Sequence, residues 1–208
     1  MSRQPSGCEG DLSGTPIPDI VYHASQQDGL SEIKPRKSTH QVPWVYATTE
    51  IALAALFLNH DGGDLSCATG LSNGKIYIFE RWDGAFDHRY KGRYGSIYLL
   101  PGEHFQRGRT SFTGEVVSEV TVPVLREIQV PEIKTYLFEL ELNGKLQIYL
   151  HDNRPGWIPE DDQDLVDRVV AWSQRPGDRT LDYVKKYHPH LITRIQDQVG
   201  VEAGGSDG

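Results

Sequence analysis

The sequence predicts an α+β fold, in which a mainly antiparallel β-sheet core is followed by a C-terminal helical segment. Short runs rich in β-branched and aromatic residues, such as 20–23 and 44–47, are bounded by Gly- and Pro-containing stretches, which is typical of strands. In the last quarter of the chain, Leu165, Val169 and Trp172 recur at helical spacing instead. Strand-forming segments that precede helix-forming ones indicate that the two kinds of element are segregated along the chain.

Composition and charge narrow the class of protein. The 208 residues fit one domain with a small helical addition. A formal net charge of −8 gives no general affinity for the nucleic acid backbone, although a local basic patch would be enough for a nucleic acid substrate. The two cysteines, Cys8 and Cys67, do not suggest a disulfide framework, and no apolar run is long enough for a membrane span or a signal peptide. We therefore expect a cytoplasmic protein that does not interact with membranes.

Composition along the chain predicts four segments. Residues 1–18 are rich in Gly, Ser and Pro, and we expect them to form a disordered tail. Residues 19–155 carry the strand-forming runs and form the main domain, and residues 156–200 form the helical segment packed on it. Residues 201–208 are expected to be a second disordered tail.

Three features are predicted within the first half of the main domain. A helix is expected over residues 50–57, capped by Thr48 or Thr49, because these residues are good helix formers. Residues 70–75 resemble a phosphate-binding loop, but the spacing of their glycines is one residue short and a strand rather than a helix follows. We therefore expect this segment to form a turn. The aromatic, charged and Gly-containing segment 83–95 is expected to be a loop, either a lid over a pocket or a recognition loop.

The second half of the chain carries the strongest short-range pattern. Apolar residues alternate over 136–142 and again over 146–150, on either side of the Asn-Gly pair at 143–144. This arrangement predicts a β-hairpin with an Asn-Gly turn. Beyond the first C-terminal helix, apolar spacing predicts a second helix at 181–187 and a third from Leu191 onward.

Three short patches occur in an order that suggests a shared site. Tyr22-His23-Ala24-Ser25 lies on the first predicted strand, Val45-Tyr46-Ala47-Thr48 lies on the second, and Glu115-Val116-Val117-Ser118 begins a later one. These patches resemble the His-Tyr-Glu triad of the ADP-ribosyltransferase superfamily, which includes rifamycin ADP-ribosyltransferases, poly(ADP-ribose) polymerases and diphtheria-toxin-like enzymes. The resemblance covers about residues 20–130 and consists of patches rather than a continuous match.

The resemblance implies a fold and a substrate. The fold is an ADP-ribosyltransferase-like, mainly antiparallel split β-sheet, and the substrate is NAD, used without a metal. By this resemblance His23 would hold a ribose hydroxyl, the main chain of Ala24 would pair with the nicotinamide amide, and Ser25 would support the turn. The polymerases carry Gly where this chain has Ala24, which keeps the main-chain groups but brings a methyl group closer to the nicotinamide.

The same resemblance assigns the remaining site residues. Tyr46 would stack on the nicotinamide ring. Glu115 would bind a ribose hydroxyl and stabilise the positive charge that develops as the glycosidic bond breaks. Arg36, which follows the first strand, is a candidate for the pyrophosphate of NAD. Glu119 lies an even number of residues further along the predicted strand, on the same face, and is an alternative to Glu115.

The expected function is therefore that of an NAD-dependent mono-ADP-ribosyltransferase. NAD hydrolysis (an NAD glycohydrolase activity) is a close alternative, and a non-catalytic module that binds a nucleotide or a protein in the same cleft is another. The sequence leaves open whether the acceptor is a protein, a nucleic acid or a small molecule, and whether the role is that of a toxin, a phage-related protein or a resistance factor. Taken alone, His23 would be a core histidine bonded to a main-chain carbonyl. The enzyme interpretation predicts that His23 and Tyr46 lie on neighbouring strands and that their side chains converge with that of Glu115 on one cleft.

Overall fold

The computed structural model describes residues 15–37, 42–110, 112, 114–173 and 180–204. Its strands are β1 (Ile20–Ser25), β2 (Glu32–Ile33), β3 (Arg36–Lys37), β4 (Pro43–Thr48), β5 (Cys67–Ser72), β6 (Lys75–Glu80), β7 (Gly95–Pro101), β8 (Glu115–Ser118), β9 (Val122–Pro123), β10 (Arg126–Val130) and β11 (Gln147–Tyr149). Its helices are α1 (Ile51–Leu56), α2 (Ala85–Tyr90), α3 (Ile133–Leu142), α4 (Gln163–Ser173), α5 (Thr180–Tyr187) and α6 (Ile192–Gly204). The fold is thus α+β, with mostly antiparallel sheets and C-terminal helices, as the sequence predicts.

The largest sheet has the strand order β10-β7-β1-β4-β3, and β8 also pairs with β4. All of these pairs are antiparallel. A second sheet has the order β11-β6-β5, with β11 parallel to β6, and a short third sheet joins β2 to β9. No helix in the described residues combines the length and the apolar character that a membrane crossing requires.

The largest sheet is divided between β1 and β4. β1 pairs with β7 along its whole length, from Ile20 to Ser25, and β4 pairs with β8 from Val45 to Thr48. Within the described residues, the pairing of β1 with β4 is confined to Tyr22 and Thr48. The sheet therefore consists of two parts that separate beyond this pair: β10-β7-β1, and β4 with its partners β3 and β8.

The two faces of this sheet pack against different elements. One face packs on α1 and α3, and the buried residues of this cluster include Leu53, Leu56, Ile97, Val130, Ile133 and Leu137. The opposite face packs on β2, β9 and the segment after β7, and its buried residues include Val21, Ile33, Val45, Tyr98, Leu100, Phe105, Val116 and Val122. Because side chains alternate along a strand, β1 and β7 contribute to both clusters, whereas β4 and β8 contribute buried residues to the second and β10 to the first.

The hairpin predicted around Asn143-Gly144 is wrong. Residues 133–142 form α3, and β11 then pairs in parallel with β6 rather than with the preceding segment. Buried Ile133, Leu137 and Leu140 recur at helical spacing in the same segment, so a period of 3.6 competes with the period of 2. Gly144, with φ of 69°, follows the end of the helix, a position where glycine is as favoured as in a hairpin turn.

The Asn-Gly hairpin of this protein lies instead at residues 73–74. Asn73 and Gly74 have φ values of 51° and 73°, and they connect the antiparallel strands β5 and β6. Positive φ at both central residues is what a type I′ turn requires. The turn predicted for residues 70–75 is therefore confirmed.

The expected loop over 83–95 is wrong for its central part. Residues 85–90 form α2, whose Phe86, Arg89 and Tyr90 are buried. Aromatic residues and glycines indicated a loop, but Phe86 and Tyr90 stand one helical turn apart and face the core together. Residues 85–90 therefore belong to the core and do not form a lid.

Arg89 organises the chain around α2. Its guanidinium donates to the carbonyls of Asn59 at 2.8 Å, Gly63 at 3.3 Å, and Leu56 and Cys67 at 3.4 Å. The Asn59 side-chain amide in turn donates to the Arg89 carbonyl at 2.8 Å. One buried cation thus links the end of α1, the segment after it and the start of β5.

The helix predicted over residues 50–57 is confirmed as α1. The predicted capping is not observed, because the N-cap is Glu50 without a side-chain capping bond, and Thr48 instead donates its hydroxyl to the Glu50 carbonyl at 2.9 Å. The predicted C-terminal helices are confirmed as α4, α5 and α6. α6 continues to Gly204, while residues 1–14 and 205–208 of the two predicted tails lie outside the described part of the chain.

The C-terminal helices pack on the main domain through Leu65 and through charged residues. Leu65 is buried in a cluster with residues of α4, α5 and α6. Arg81, at the end of β6, pairs with the carboxylate of Asp164 and lies 3.6 Å from that of Asp162. His188 places Nε2 2.7 Å from the Leu65 carbonyl, and a carbonyl can only accept.

Replacing Arg89 should destabilise the whole fold. Arg89→Met leaves buried carbonyls without their donor, and we expect the free energy of unfolding to fall by about 3 kcal/mol or more. Urea unfolding measures this quantity. Arg126→Met, at an exposed position of β10, is the matched control, and its effect should stay within about 0.5 kcal/mol. Equal unfolding midpoints for the two variants would contradict the role assigned to Arg89.

Candidate functional site

His23 lies where β1 and β4 separate. Its Nδ1 is 2.7 Å from the main-chain carbonyl of Tyr46. Because a carbonyl only accepts, Nδ1 carries the hydrogen and donates, which leaves the lone pair of Nε2 as an acceptor. Burial lowers the pKa of His23, the bond to Tyr46 opposes this effect, and the charge of Arg36 lowers the pKa further. His23 is therefore neutral near pH 7.

The strand register decides on which face each side chain lies. Tyr22 pairs with Thr48, and Thr48 pairs with Glu115. Because side chains alternate, Tyr46 shares a face with Glu115, whereas His23 projects from the opposite face. The structure thus places His23 and Tyr46 on neighbouring strands, but the three side chains do not converge on one face. His23 reaches Tyr46 through the main chain.

Glu115 is placed by a close approach of β8 to α1. The main-chain N–H of Thr49 donates to the Gly114 carbonyl at 3.2 Å. A Cβ at Gly114 would come within 2.7 Å of Cδ2 of Leu53, so a larger residue there would require the Leu53 side chain to shift. Burial raises the pKa of Tyr46, and the negative charge of Glu115 raises it further, so this carboxylate is within electrostatic range of the Tyr46 phenol.

Glu119 has different surroundings from Glu115. It lies beyond the end of β8, it is exposed, and its carboxylate accepts from the Arg109 guanidinium at 2.9 Å. Arg109 also lies over the ring of Trp44, with 5.8 Å between the guanidinium carbon and the ring centroid. Trp44 in turn meets Tyr46 edge to face at 6.0 Å. The geometry favours Glu115 as the carboxylate beside Tyr46.

An open pocket of about 580 Å³ lies at the end of β1. It is lined by residues 24–26, by residues 57–61 after α1, and by Arg93. Ala24 and Ser25, both predicted to contact NAD, therefore line it. The other predicted site residues lie outside its lining, and Arg36 is exposed on β3, within electrostatic range of His23.

Most of the residues that line this pocket have no functional role predicted from the sequence. Residues 57–61 were expected only as the end of a helix, and Arg93 fell in the segment expected to be a loop. The available signal was the polar cluster Asn59-His60-Asp61 directly after an apolar helix. Nothing local in the sequence brings this cluster next to Ala24, because that contact depends on α1 packing against β1.

The aromatic wall of the pocket is formed by Phe57 and His60. Their rings are stacked, with centroids 5.2 Å apart and planes 27° from parallel. Burial, and then the charge of Arg89, lower the pKa of His60 to about 4, so this imidazole is neutral near pH 7. Asp61 is the acidic residue of the lining, and its carboxylate lies 3.5 Å from Nε2 of His88.

The turn after β1 is held in place by Glu127. Its carboxylate accepts from the Ser96 hydroxyl at 2.6 Å, from the Tyr98 hydroxyl at 3.2 Å and from the main chain of Gly29 at 3.2 Å. The single hydroxyl hydrogen of Tyr98 is shared between Glu127 and the Gln27 carbonyl, which lies nearer, at 2.8 Å. The ring of Tyr98 lies 6.4 Å from that of His23, so one buried tyrosine connects the imidazole to this turn.

Two further observations bear on the chemistry of the site. The described residues contain no group of three or more His, Cys, Asp or Glu side chains placed to hold a metal ion. Burial raises the pKa of Cys67 to about 12, so this thiol is not a ready nucleophile.

Comparison with known proteins adds nothing to these observations, since no protein-family model, curated protein or solved structure matches the chain. The site must therefore be interpreted from its geometry and from the patches in the sequence.

The lowered pKa values of half-buried His23 and of His60 predict how stability depends on pH. In the unfolded chain a histidine binds a proton near pH 6.5, whereas His23 and His60 resist protonation in the folded protein. The unfolded state therefore binds more protons as the pH falls below about 6.5, and the free energy of unfolding should decrease down to about pH 4. Urea unfolding at several pH values measures this slope. His60→Phe keeps the stacking on Phe57 and should reduce the slope, and an unchanged slope would contradict the assignment.

Removing the charge of Glu127 should loosen the turn after β1. Glu127→Gln keeps the size of the side chain but weakens charge-assisted bonds, so we expect the amides of Gly29 and Leu30 to exchange about tenfold faster with solvent. Hydrogen exchange followed by NMR measures this rate. Glu103→Gln, at an exposed site beside His104, is the control and should leave both amides unchanged. Equal exchange in the two variants would show that Glu127 does not hold the turn.

Proposed function

We propose that this protein is an NAD-dependent mono-ADP-ribosyltransferase. The observation that carries the proposal is the bond from His23 to the Tyr46 carbonyl at the point where the sheet divides. It joins two of the three patches that resemble the superfamily, and the register brings the third, Glu115, to the next strand. The patches are far apart in sequence, and their meeting on three adjacent strands was not required by any local pattern.

The division of the sheet provides a place for NAD. Within the described residues no strand pairs with β1 on its β4 side beyond Tyr22, so main-chain groups near Ala24 are open on that edge. The adjoining pocket offers the ring of Phe57 as a flat apolar surface for the nicotinamide. A substrate that lies in the gap between β1 and β4 can contact side chains on both faces of the sheet. His23 and Tyr46 can therefore both contact it, although they project from opposite faces.

Three of the predicted site residues, His23, Glu115 and Arg36, then have roles that their surroundings support. Neutral His23 offers Nε2 to a ribose hydroxyl, which donates to it. The bond between the ribose and nicotinamide breaks, and positive charge develops on the ribose before the acceptor attacks. The carboxylate of Glu115, near the Tyr46 phenol, stabilises this charge from a fixed position. Arg36 supplies positive charge on the His23 side of the gap.

A second candidate is a module that binds a nucleotide in this cleft without transferring ADP-ribose. The orientation of His23 favours it, because the side chains of His23, Tyr46 and Glu115 do not point to a common face. The bond to a main-chain carbonyl is also the one expected of a structural histidine. The two candidates differ in whether nicotinamide is released.

Substitution of Glu115 separates the candidates. NAD labelled in the ADP-ribose part is incubated with the protein and a cell extract, and released nicotinamide and macromolecular label are both measured. We expect Glu115→Gln to lower nicotinamide release by about 100-fold or more, because it removes a charge aimed at the developing cation. Glu119→Gln is the matched control, since its carboxylate is engaged by Arg109, and it should keep most of the activity.

The outcomes point to different functions. Label on a macromolecule supports transfer, whereas free ADP-ribose with nicotinamide supports hydrolysis. Binding of NAD without release of nicotinamide supports the module. A wild-type protein that neither binds NAD nor releases nicotinamide contradicts every NAD-dependent function of this cleft.

A further inference from the structure

The main chain of Arg93 is held by hydrogen bonds, whereas its side chain is exposed to the pocket. Its N–H donates to the Tyr90 carbonyl at 3.2 Å, and its carbonyl accepts from the N–H of Ile133 at 2.8 Å. Its main chain is therefore held between α2 and α3. The side chain is exposed and lines the pocket, and its guanidinium forms no hydrogen bond or ion pair with the residues that the structure describes.

Two neighbours of Arg93 in the pocket also have hydrogens to donate. The Ser25 oxygen accepts from the Gln27 N–H at 3.0 Å, which leaves its own hydroxyl hydrogen for another acceptor. The Gln26 side-chain amide donates one hydrogen to the Leu58 carbonyl at 3.4 Å and retains a second. Together with the five N–H groups of Arg93, these donors favour a ligand rich in acceptor oxygens.

The opposite wall of the pocket is formed mainly by aromatic rings rather than by hydrogen-bond donors. The stacked rings of Phe57 and His60 offer a flat surface, and His60 is neutral near pH 7. The carboxylate of Asp61 is the one negative group in the lining, and it lies 3.5 Å from His88. A ligand that fits both walls carries a flat ring and an anionic group.

We propose that Arg93 is the phosphate-binding residue of this pocket, which takes a phosphate-bearing nucleotide with its ring against Phe57. A planar guanidinium binds two phosphate oxygens at once, and the Ser25 hydroxyl and Gln26 amide complete the contact. The pocket volume of about 580 Å³ is adequate for a nucleotide. The identity of that nucleotide as NAD rests on the proposed function, and Arg93 then contacts the phosphate next to the nicotinamide riboside.

The test compares ligands that differ by phosphate alone. Binding of nicotinamide mononucleotide and nicotinamide riboside, and of AMP and adenosine, is measured by calorimetry on the full chain. We expect the wild type to bind the phosphate-bearing member of at least one pair about tenfold more tightly or better. Arg93→Gln should remove this preference and Arg93→Lys should keep part of it. Arg126→Gln, at an exposed position of β10, should behave as the wild type.

Three results would overturn the inference: a full phosphate preference in Arg93→Gln, equal affinity of the wild type for both members of each pair, or no binding of any of the four ligands. Thermal unfolding of each variant shows whether it is folded. If Arg93→Gln does not fold, Arg93→Lys, which keeps the positive charge, tests the phosphate preference instead. Release of nicotinamide from NAD is measured on the same samples. Binding that depends on Arg93 but is not accompanied by nicotinamide release supports this inference and contradicts the proposed transferase function. Nicotinamide release with an unchanged KM in Arg93→Gln supports the transferase function and contradicts this inference.

Discussion

The buried guanidinium of Arg89 links three chain segments that carry the wall of the pocket and the contact with the C-terminal helices. A buried cation is costly unless its donors are satisfied, and here four main-chain carbonyls accept from it. Those carbonyls belong to the end of α1, the segment after it and the start of β5. Fixing that segment fixes the pocket wall of residues 57–61, and it also presents Leu65, on which the C-terminal helices pack. Arg89 thus contributes to the position of both the pocket wall and the surface on which the C-terminal helices pack.

The same cation shapes the electrostatics of the pocket. Its charge, added to burial, keeps His60 neutral, so the aromatic wall carries no positive charge of its own. Arg93 follows Arg89 by four residues, yet it lies beyond the end of α2 and is exposed rather than buried. One short segment therefore supplies a structural cation that is satisfied by carbonyls and a surface cation that is open to a ligand. Positive charge is concentrated at the Arg93 side of the pocket.

Local patterns predicted elements better than they predicted contacts. The runs at β1 and β4 and the C-terminal helices are recognisable because their periodicity is set by burial on one face. The segment from Ile133 to Leu142 satisfied two periods at once, and burial against α1 selected the helix. An Asn-Gly pair is compatible with a hairpin turn and with a helix end, so residues 73–74 and 143–144 could not be told apart locally. The pocket joins residues from three segments that are distant in sequence, and no local signal contains that information.

His23 illustrates how far geometry carries an assignment. Its Nδ1 bond to the Tyr46 carbonyl is what both a structural histidine and a substrate-binding histidine would form, so the bond alone does not distinguish them. The distinction lies at Nε2, which the Nδ1 bond leaves as an acceptor and which forms no hydrogen bond with the residues that the structure describes. Under the proposed function a ribose hydroxyl in the gap would donate to this acceptor, whereas a structural histidine would leave it to solvent. The lowered pKa of His23 preserves this acceptor near neutral pH, because protonation would replace it with a donor.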